Sequence, residues 1–187
     1  MSDLCRIWTS NGSAGACDGA GGRATRWSQI RSGWPDATID LYGPGTDSGT
    51  FDYFVEAILD PTGDPITDLY FGNEDDNVLV QGVASSANGL GYFGYAYAIE
   101  NTDKLRIVPI DGGAGPVAPT HETIQNGTYT PLSRPLFVYG NARSLARPIV
   151  KDFLRFGYSD PGTALVDRTG YVSLTAQERQ DERLKIP

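Results

Sequence analysis

An α/β fold is predicted by three features of the sequence. Short runs with strand-like alternation are interleaved with segments whose apolar residues recur at helical spacing. Glycine and proline are frequent, at 23 and 12 residues, which favours many turns and short elements over a helical bundle. Apolar residues make up 40% and aromatics 11% of the 187 residues, enough for a packed core and too many for wholesale disorder.

Taken in order, residues 3–8 read as the end of a helix. The following TSNGSAGACDGAGGRAT is rich in Gly, Ala and Ser and reads as a flexible loop or an ill-formed insertion. Residues 1–23 are therefore expected to be a poorly specified segment. Its cysteines, Cys5 and Cys17, read as two unpaired thiols, with a disulfide as the alternative in an oxidising compartment. Ala37 to Tyr42 alternates like a short strand, and Gly43-Pro44-Gly45 stops it. Phe51, Phe54, Val55 and Ile58 then fall at helical spacing until Pro61-Thr62-Gly63. A second helix is expected from Asp75 or Asp76 through Val83, with acids in the first turn suiting the positive end of its dipole. Leu90 to Phe93 reads as a strand, Tyr97 to Asn101 as helical, and Leu105 to Ile110 as another strand. A short helix is expected around Thr120 to Gln125, a strand at Leu136 to Tyr139 and a helix from Pro148 to Tyr158. Thr175 to Leu184 reads as a charged helix, with Thr175 and Glu178 as a capping box.

The formal net charge is -8. That argues against nucleic acid, whose binding needs clustered Lys and Arg, and against attraction to anionic lipid. An anionic ligand would have to be held by local dipoles and hydrogen bonds. No window approaches eighteen apolar residues, and MSDLCRIWTS lacks a basic n-region followed by an apolar h-region, so neither a membrane span nor a secretory signal is expected here. No Cys-x-x-Cys or His-x-x-x-His spacing appears, so neither metal nor other cofactor is expected.

One segment carries chemistry. In Tyr42-Gly-Pro-Gly-Thr-Asp-Ser-Gly-Thr-Phe-Asp-Tyr-Phe54 a Gly-rich turn after a strand leads into a helix that begins Ser48-Gly49-Thr50. The first N–H groups of a helix have no internal acceptor and point with the dipole at one spot. Ser48 and Thr50 add hydroxyl donors, and Gly49 lets an oxyanion come close to the backbone. An ordinary N-cap, Ser48 or Asp47 closing the first turn, is the competing reading of the same residues. No Lys follows Gly-Thr, and Asp52 sits in the first turn, so this is not a nucleotide-hydrolysing loop. Glu74, Asp75 and Asp76 read as a helix-start charge cluster before they read as cation ligands. His121 has no Gly-x-Ser-x-Gly elbow to serve. The Tyr92 to Tyr97 stretch reads as strand packing before a sugar-stacking platform.

The blocks LYGPGTDSGTFDYFVEAI, NEDDNVLVQGVASSANGLGYFGYAYAIEN, LRIVPIDGG and ETIQNGTYTPLSRPLFVY resemble successive blocks of bacterial phosphate-binding proteins, the PstS family, in family order. The branch common in cyanobacteria is the nearest likeness. The resemblance covers residues 24–160 and, more loosely, 161–187. It implies a type II periplasmic-binding-protein fold, in which two α/β lobes hold dehydrated phosphate in a cleft. Residues 24–128 would be the second lobe, and 129–187 a C-terminal strand and helices returning into the first. It implies a non-enzymatic binding component of a phosphate ABC importer, partnered by a permease, in the periplasm or cell envelope. Carried over, the phosphate contacts are Ser48, Gly49 and Thr50. Many members have an Arg four positions before that Ser, and here Pro44 stands there. Most of the first lobe, with the carboxylate that accepts the phosphate's proton, would precede residue 1 in a family member. Weak binding is therefore expected of this chain, with self-association through apolar surface. The alternative is an interaction protein or remnant without a small-molecule ligand.

Overall fold

A computed structural model describes all residues 1–187. Its elements follow in chain order as α1 (Ser2–Trp8), a short turn α2 (Ala16–Gly19), β1 (Asp40–Gly43), α3 (Gly49–Ile58), β2 (Phe71–Gly72), α4 (Asp76–Ser85), β3 (Gly89–Gly91), α5 (Tyr95–Glu100), β4 (Ile110–Asp111), β5 (Pro116–Val117), α6 (His121–Gln125), α7 (Pro148–Gly157), α8 (Asp160–Arg168) and α9 (Ala176–Leu184).

The centre is a parallel sheet in the order β2-β1-β3. Tyr42 pairs with Phe71 on one side and with Gly91 on the other. Parallel neighbours need crossovers, and α3 and α4 supply them. Both helices begin with a side-chain cap. Ser48 Oγ accepts from Thr50 N–H, and Asp75 Oδ1 accepts from Asn77 N–H. Glu74 and Asp76 flank that second cap, so the acidic trio stands at a helix start, as its position in the sequence suggests. The Thr175–Glu178 capping box of α9 also forms.

The N-terminal segment differs from its expected role as a loose insertion with free thiols. Cys5 and Cys17 form a disulfide, and both are buried. Cys5, Ile7, Trp8, Ala16, Cys17 and Ala24 belong to one core cluster with Ile30, Ile39, Leu41, Phe54, Ile58 and Leu59. The physical reason lies far along the chain at Asp64. Its carboxylate accepts from the Cys17 N–H at 2.7 Å, the Thr62 hydroxyl at 2.8 Å and the Asn11 amide at 2.6 Å. Backbone bonds add Ser10 N–H to the Pro65 carbonyl and Thr67 N–H to the Trp8 carbonyl. The small residues of this segment are thus packing and turn residues. Cys17 and Asp18 both take positive φ, 53° and 56°, a conformation that non-glycine residues adopt rarely and here hold under the disulfide and the Asp64 bond.

Those donors, the Cys17 N–H first, then Thr62 and Asn11, hold the Asp64 carboxyl below the usual carboxylate range. A depressed folded-state value means the stabilisation is present above the unfolded value of about 3.9 and is lost as pH falls through the folded one. Urea midpoints measured downward from pH 6 should therefore fall below about pH 4. Asp64→Asn should lower the midpoint at neutral pH and flatten that acid decline. An unchanged acid decline in Asp64→Asn would remove Asp64 from this role.

Two expected strands do not form. From Leu105 to Pro109 the chain has no ladder partner, and only Ile110–Asp111 pairs, antiparallel, with Pro116–Val117. Leu136 to Tyr139 also pairs with nothing, and its four side chains are 65–90% exposed. A strand needs an adjacent edge to satisfy its N–H and C=O groups. The alternation in these residues fits them for such an edge, but within the chain none lies beside them. The apolar face of α7 stands out likewise, with Ile149 at 66% and Phe153 at 70% exposure. No helix is long and apolar enough to cross a membrane.

Candidate anion-binding site

The carboxyl ends of β1, β2 and β3 all point to one edge of the sheet, the edge where ligands bind in open α/β sheets. The loop leaving β1, the central strand, runs from Pro44 to Ser48 and opens α3. Its course is fixed from two sides. The Tyr70 hydroxyl donates to the Pro44 carbonyl at 3.0 Å, and the Pro44 side chain is fully buried. Glu74 lies over the turn at Gly45, where a β-carbon would meet its Oε1 at 2.1 Å, so a larger residue there would displace the Glu74 side chain.

Ser48, Gly49 and Thr50 are brought together at the first turn of α3. Ser48 and Thr50 are half-buried and Gly49 is exposed, so the helix start is open to solvent. The donor set differs in one detail from a simple row of free N–H groups. Thr50 N–H is taken by Ser48 Oγ at 3.1 Å. The N–H groups of Gly49 and Phe51 make no hydrogen bond within the chain. Accepting from Thr50 leaves the Ser48 hydroxyl proton free to donate outward. The turn therefore offers two N–H groups and the hydroxyls of Ser48 and Thr50 at the positive end of a ten-residue helix. Such a set suits an oxyanion.

Sequence reasoning missed a cation at this turn. Arg134 reaches it from the segment after α6, and its Nη2 donates to the Gly49 carbonyl at 2.9 Å. The guanidinium carbon lies 5.1 Å from the centre of the Tyr53 ring. The Tyr53 hydroxyl donates to the carbonyls of Pro131 and Ser133, tying that segment to α3. Burial first, then the nearby Glu56, raises the Tyr53 phenol above its ordinary value, while Arg134 opposes the shift. Eighty-five residues separate Arg134 from Gly49, and no local pattern marks such a contact.

The other sequence candidates fall elsewhere. His121 Nε2 lies 3.5 Å from Asp167 Oδ1. A hydrogen bond from Ser173, and after it the histidine, holds the Asp167 carboxyl below its usual range. The carboxylate thus stands between hydroxyl and imidazole, the wrong order for a histidine-activated nucleophile. Tyr92 stacks on Phe54 with ring centres 3.9 Å apart and meets Trp8 edge-on, so it is core packing. Cys5, Cys17 and Asp64 place three potential metal ligands within 4.8 Å of one another. The two sulfurs are joined to each other, and the carboxylate is occupied by its three donors, which makes the cluster structural.

Comparison with known proteins bears on the same residues. The family described as "PBP superfamily domain" matches residues 19–161, which include the whole parallel sheet and the Ser48 turn. The chain belongs to the PBP superfamily. Its relatives within that superfamily include Protein SphX of Synechocystis sp., 45% identical over 151 residues, 80% of this chain and 44% of that protein. Phosphate-binding protein PstS of Staphylococcus epidermidis is 39% identical over 154 residues, 81% of this chain and 46% of that protein. Among solved structures of the superfamily, a "possible phosphate binding protein" from Planctomyces limnophilus is 41% identical with a TM-score of 0.73, covering 98% of this chain and 64% of the other. The chain thus spans about half the length of the curated relatives it matches. The PstS resemblance and the type II PBP-like α/β fold read from the sequence agree with these PBP-superfamily matches.

Proposed function

We propose that this chain takes up inorganic phosphate, as the substrate-binding component of a phosphate ABC importer that delivers its ligand to a permease, and that Ser48, Gly49 and Thr50 contact the anion. The observation that carries this reading is the helix start itself. It lies past the carboxyl end of the central parallel strand and offers two N–H groups unused within the chain and two hydroxyls. Relatives named phosphate-binding proteins support it. In this reading residues 24–128 form the second lobe, and 129–187 are a C-terminal strand and helices returning into the first. The unpaired run Leu136 to Tyr139 and the bare face of α7 are surfaces fit to receive that lobe. The role is binding without turnover. The setting is extracytoplasmic, in the periplasm or cell envelope, and a buried disulfide suits an oxidising compartment.

The open turn sets the affinity. Hydrogen bonds to a charged group contribute roughly 1.5–3 kcal/mol each when water is excluded. Here solvent reaches the turn, and part of the gain is offset by lost freedom on binding. A dissociation constant of millimolar order, about -4 kcal/mol, is expected. Calorimetric titration with phosphate should show it. Thr50→Val removes one hydroxyl at nearly constant volume and should weaken binding by about tenfold. Equal affinity in the variant would take Thr50 out of the site. The exposed apolar surface favours a second reading, an interaction protein that self-associates and has no small-molecule ligand. Concentration-dependent sedimentation together with no heat on adding phosphate would support that reading instead.

A further inference from the structure

The loop from Pro44 to Ser48 supplies no basic side chain to face an anion at this turn. Arg134 is the side chain that comes nearest. Its Nη2 lies 3.1 Å from where a β-carbon at Gly49 would stand, so the guanidinium occupies the space that glycine leaves open. One of its five N–H donors is used on the Gly49 carbonyl. Acids outnumber bases 23 to 15 in the chain, yet Arg134 makes no ion pair, although four other basic side chains and His121 do. A carbonyl and an aromatic face hold it in place without neutralising it.

We propose that Arg134 is the cation of the anion site, and that it selects tetrahedral oxyanions by presenting a two-pronged donor beside the Ser48 and Thr50 hydroxyls. The inference rests on the reading of that turn as the phosphate site. A planar guanidinium fork matches two oxygens of a phosphate or sulfate, whereas a lysine would act as a point charge. Tyr53 is the positioning residue. Its ring lies under the guanidinium, and its hydroxyl ties down the carbonyls of Pro131 and Ser133, just before Arg134 in the chain. The site is therefore assembled from two distant parts of the sequence. Ligand binding then bears on where the segment 131–139 lies, because the cation and the unpaired apolar run belong to one stretch of backbone.

The test titrates inorganic phosphate into the full chain and into Arg134→Gln, Arg134→Lys and Tyr53→Phe at low ionic strength, following the amide signals of residues 47–51. Dispersed spectra establish that each variant is folded, which the exposure of Arg134 favours. Arg134→Gln should weaken phosphate by about tenfold and flatten the dependence of affinity on salt. Arg134→Lys should recover part of the loss and keep the salt dependence, because it restores the charge and lacks the fork. Tyr53→Phe should weaken binding by about threefold and leave the salt dependence intact, a pattern that loss of charge cannot give. If the unaltered chain binds and Arg134→Gln binds within twofold of it, Arg134 is not the cation and the helix start alone holds the anion. Equal binding by Arg134→Lys and the unaltered chain would overturn the fork. If the unaltered chain shows no shifts up to tens of millimolar, the phosphate reading fails and this inference with it.

Discussion

Trp8→Ala should lower the stability of the lobe by about 3–5 kcal/mol, read as a shift of the urea midpoint followed by near-ultraviolet circular dichroism. Trp8 is 1% exposed and meets three aromatic rings, those of Phe54, Tyr70 and Tyr92, at centre distances of 5.4, 5.7 and 4.8 Å. Removing the indole leaves a void that close-packed neighbours fill only in part. The loss also reaches the candidate site. Phe54 stands one turn beyond Thr50 on α3, and Tyr70 holds the Pro44 carbonyl. Broadened amide signals at residues 48–51 should accompany the lower midpoint. A variant as stable as the parent would mean that α1 is not part of this core.

Removing the disulfide is the second large perturbation. Replacing Cys5 and Cys17 together by Ala should cost about 3 kcal/mol, the value expected for closing a loop of this size in the unfolded chain. The cross-link spans 12 residues, and both ends are buried beside Asp64. Without it the loop from Asn11 to Gly22 depends on the Asp64 bonds, the Arg6 and Arg23 bonds to its ends and the packing of Ala16. The positive-φ pair at Cys17 and Asp18 then relaxes more readily. Urea titrations with and without a dithiol reductant should show the same shift in the parent and none in the double variant. A parent indifferent to reductant under unfolding conditions would contradict this account of the segment.

The sequence announced what is local and concealed what is distant. The helix at Gly49–Ile58 and the Thr175–Glu178 box depend on residues close in sequence, and both are as read; Ser48 also caps α3, the competing reading of that turn, while the acids read into the first turn of α4 include its cap, Asp75. Helix α8 carries local signals of the same kind, with Ser159 as its cap and Pro161 in its first turn. The pairing of Cys5 with Cys17 was open because spacing cannot choose between free and joined thiols. The choice is made by Asp64, 47 residues beyond Cys17. Strand alternation at Leu105 to Ile110 and Leu136 to Tyr139 reports fitness for a sheet edge and not the presence of one. At the site, Ser48, Gly49 and Thr50 could be named from a turn and a helix start. Arg134 could not, since its place beside Gly49 is a product of the fold.

The proposed site holds an oxyanion at the start of α3. Titrating inorganic phosphate while recording amide signals along the whole chain tests it most directly. Saturable shifts are expected, centred on residues 47–51 and on the backbone around Arg134, half complete at a millimolar order of concentration. Signals at 47–51 that stay still up to tens of millimolar, while others move, would place the ligand elsewhere and contradict it.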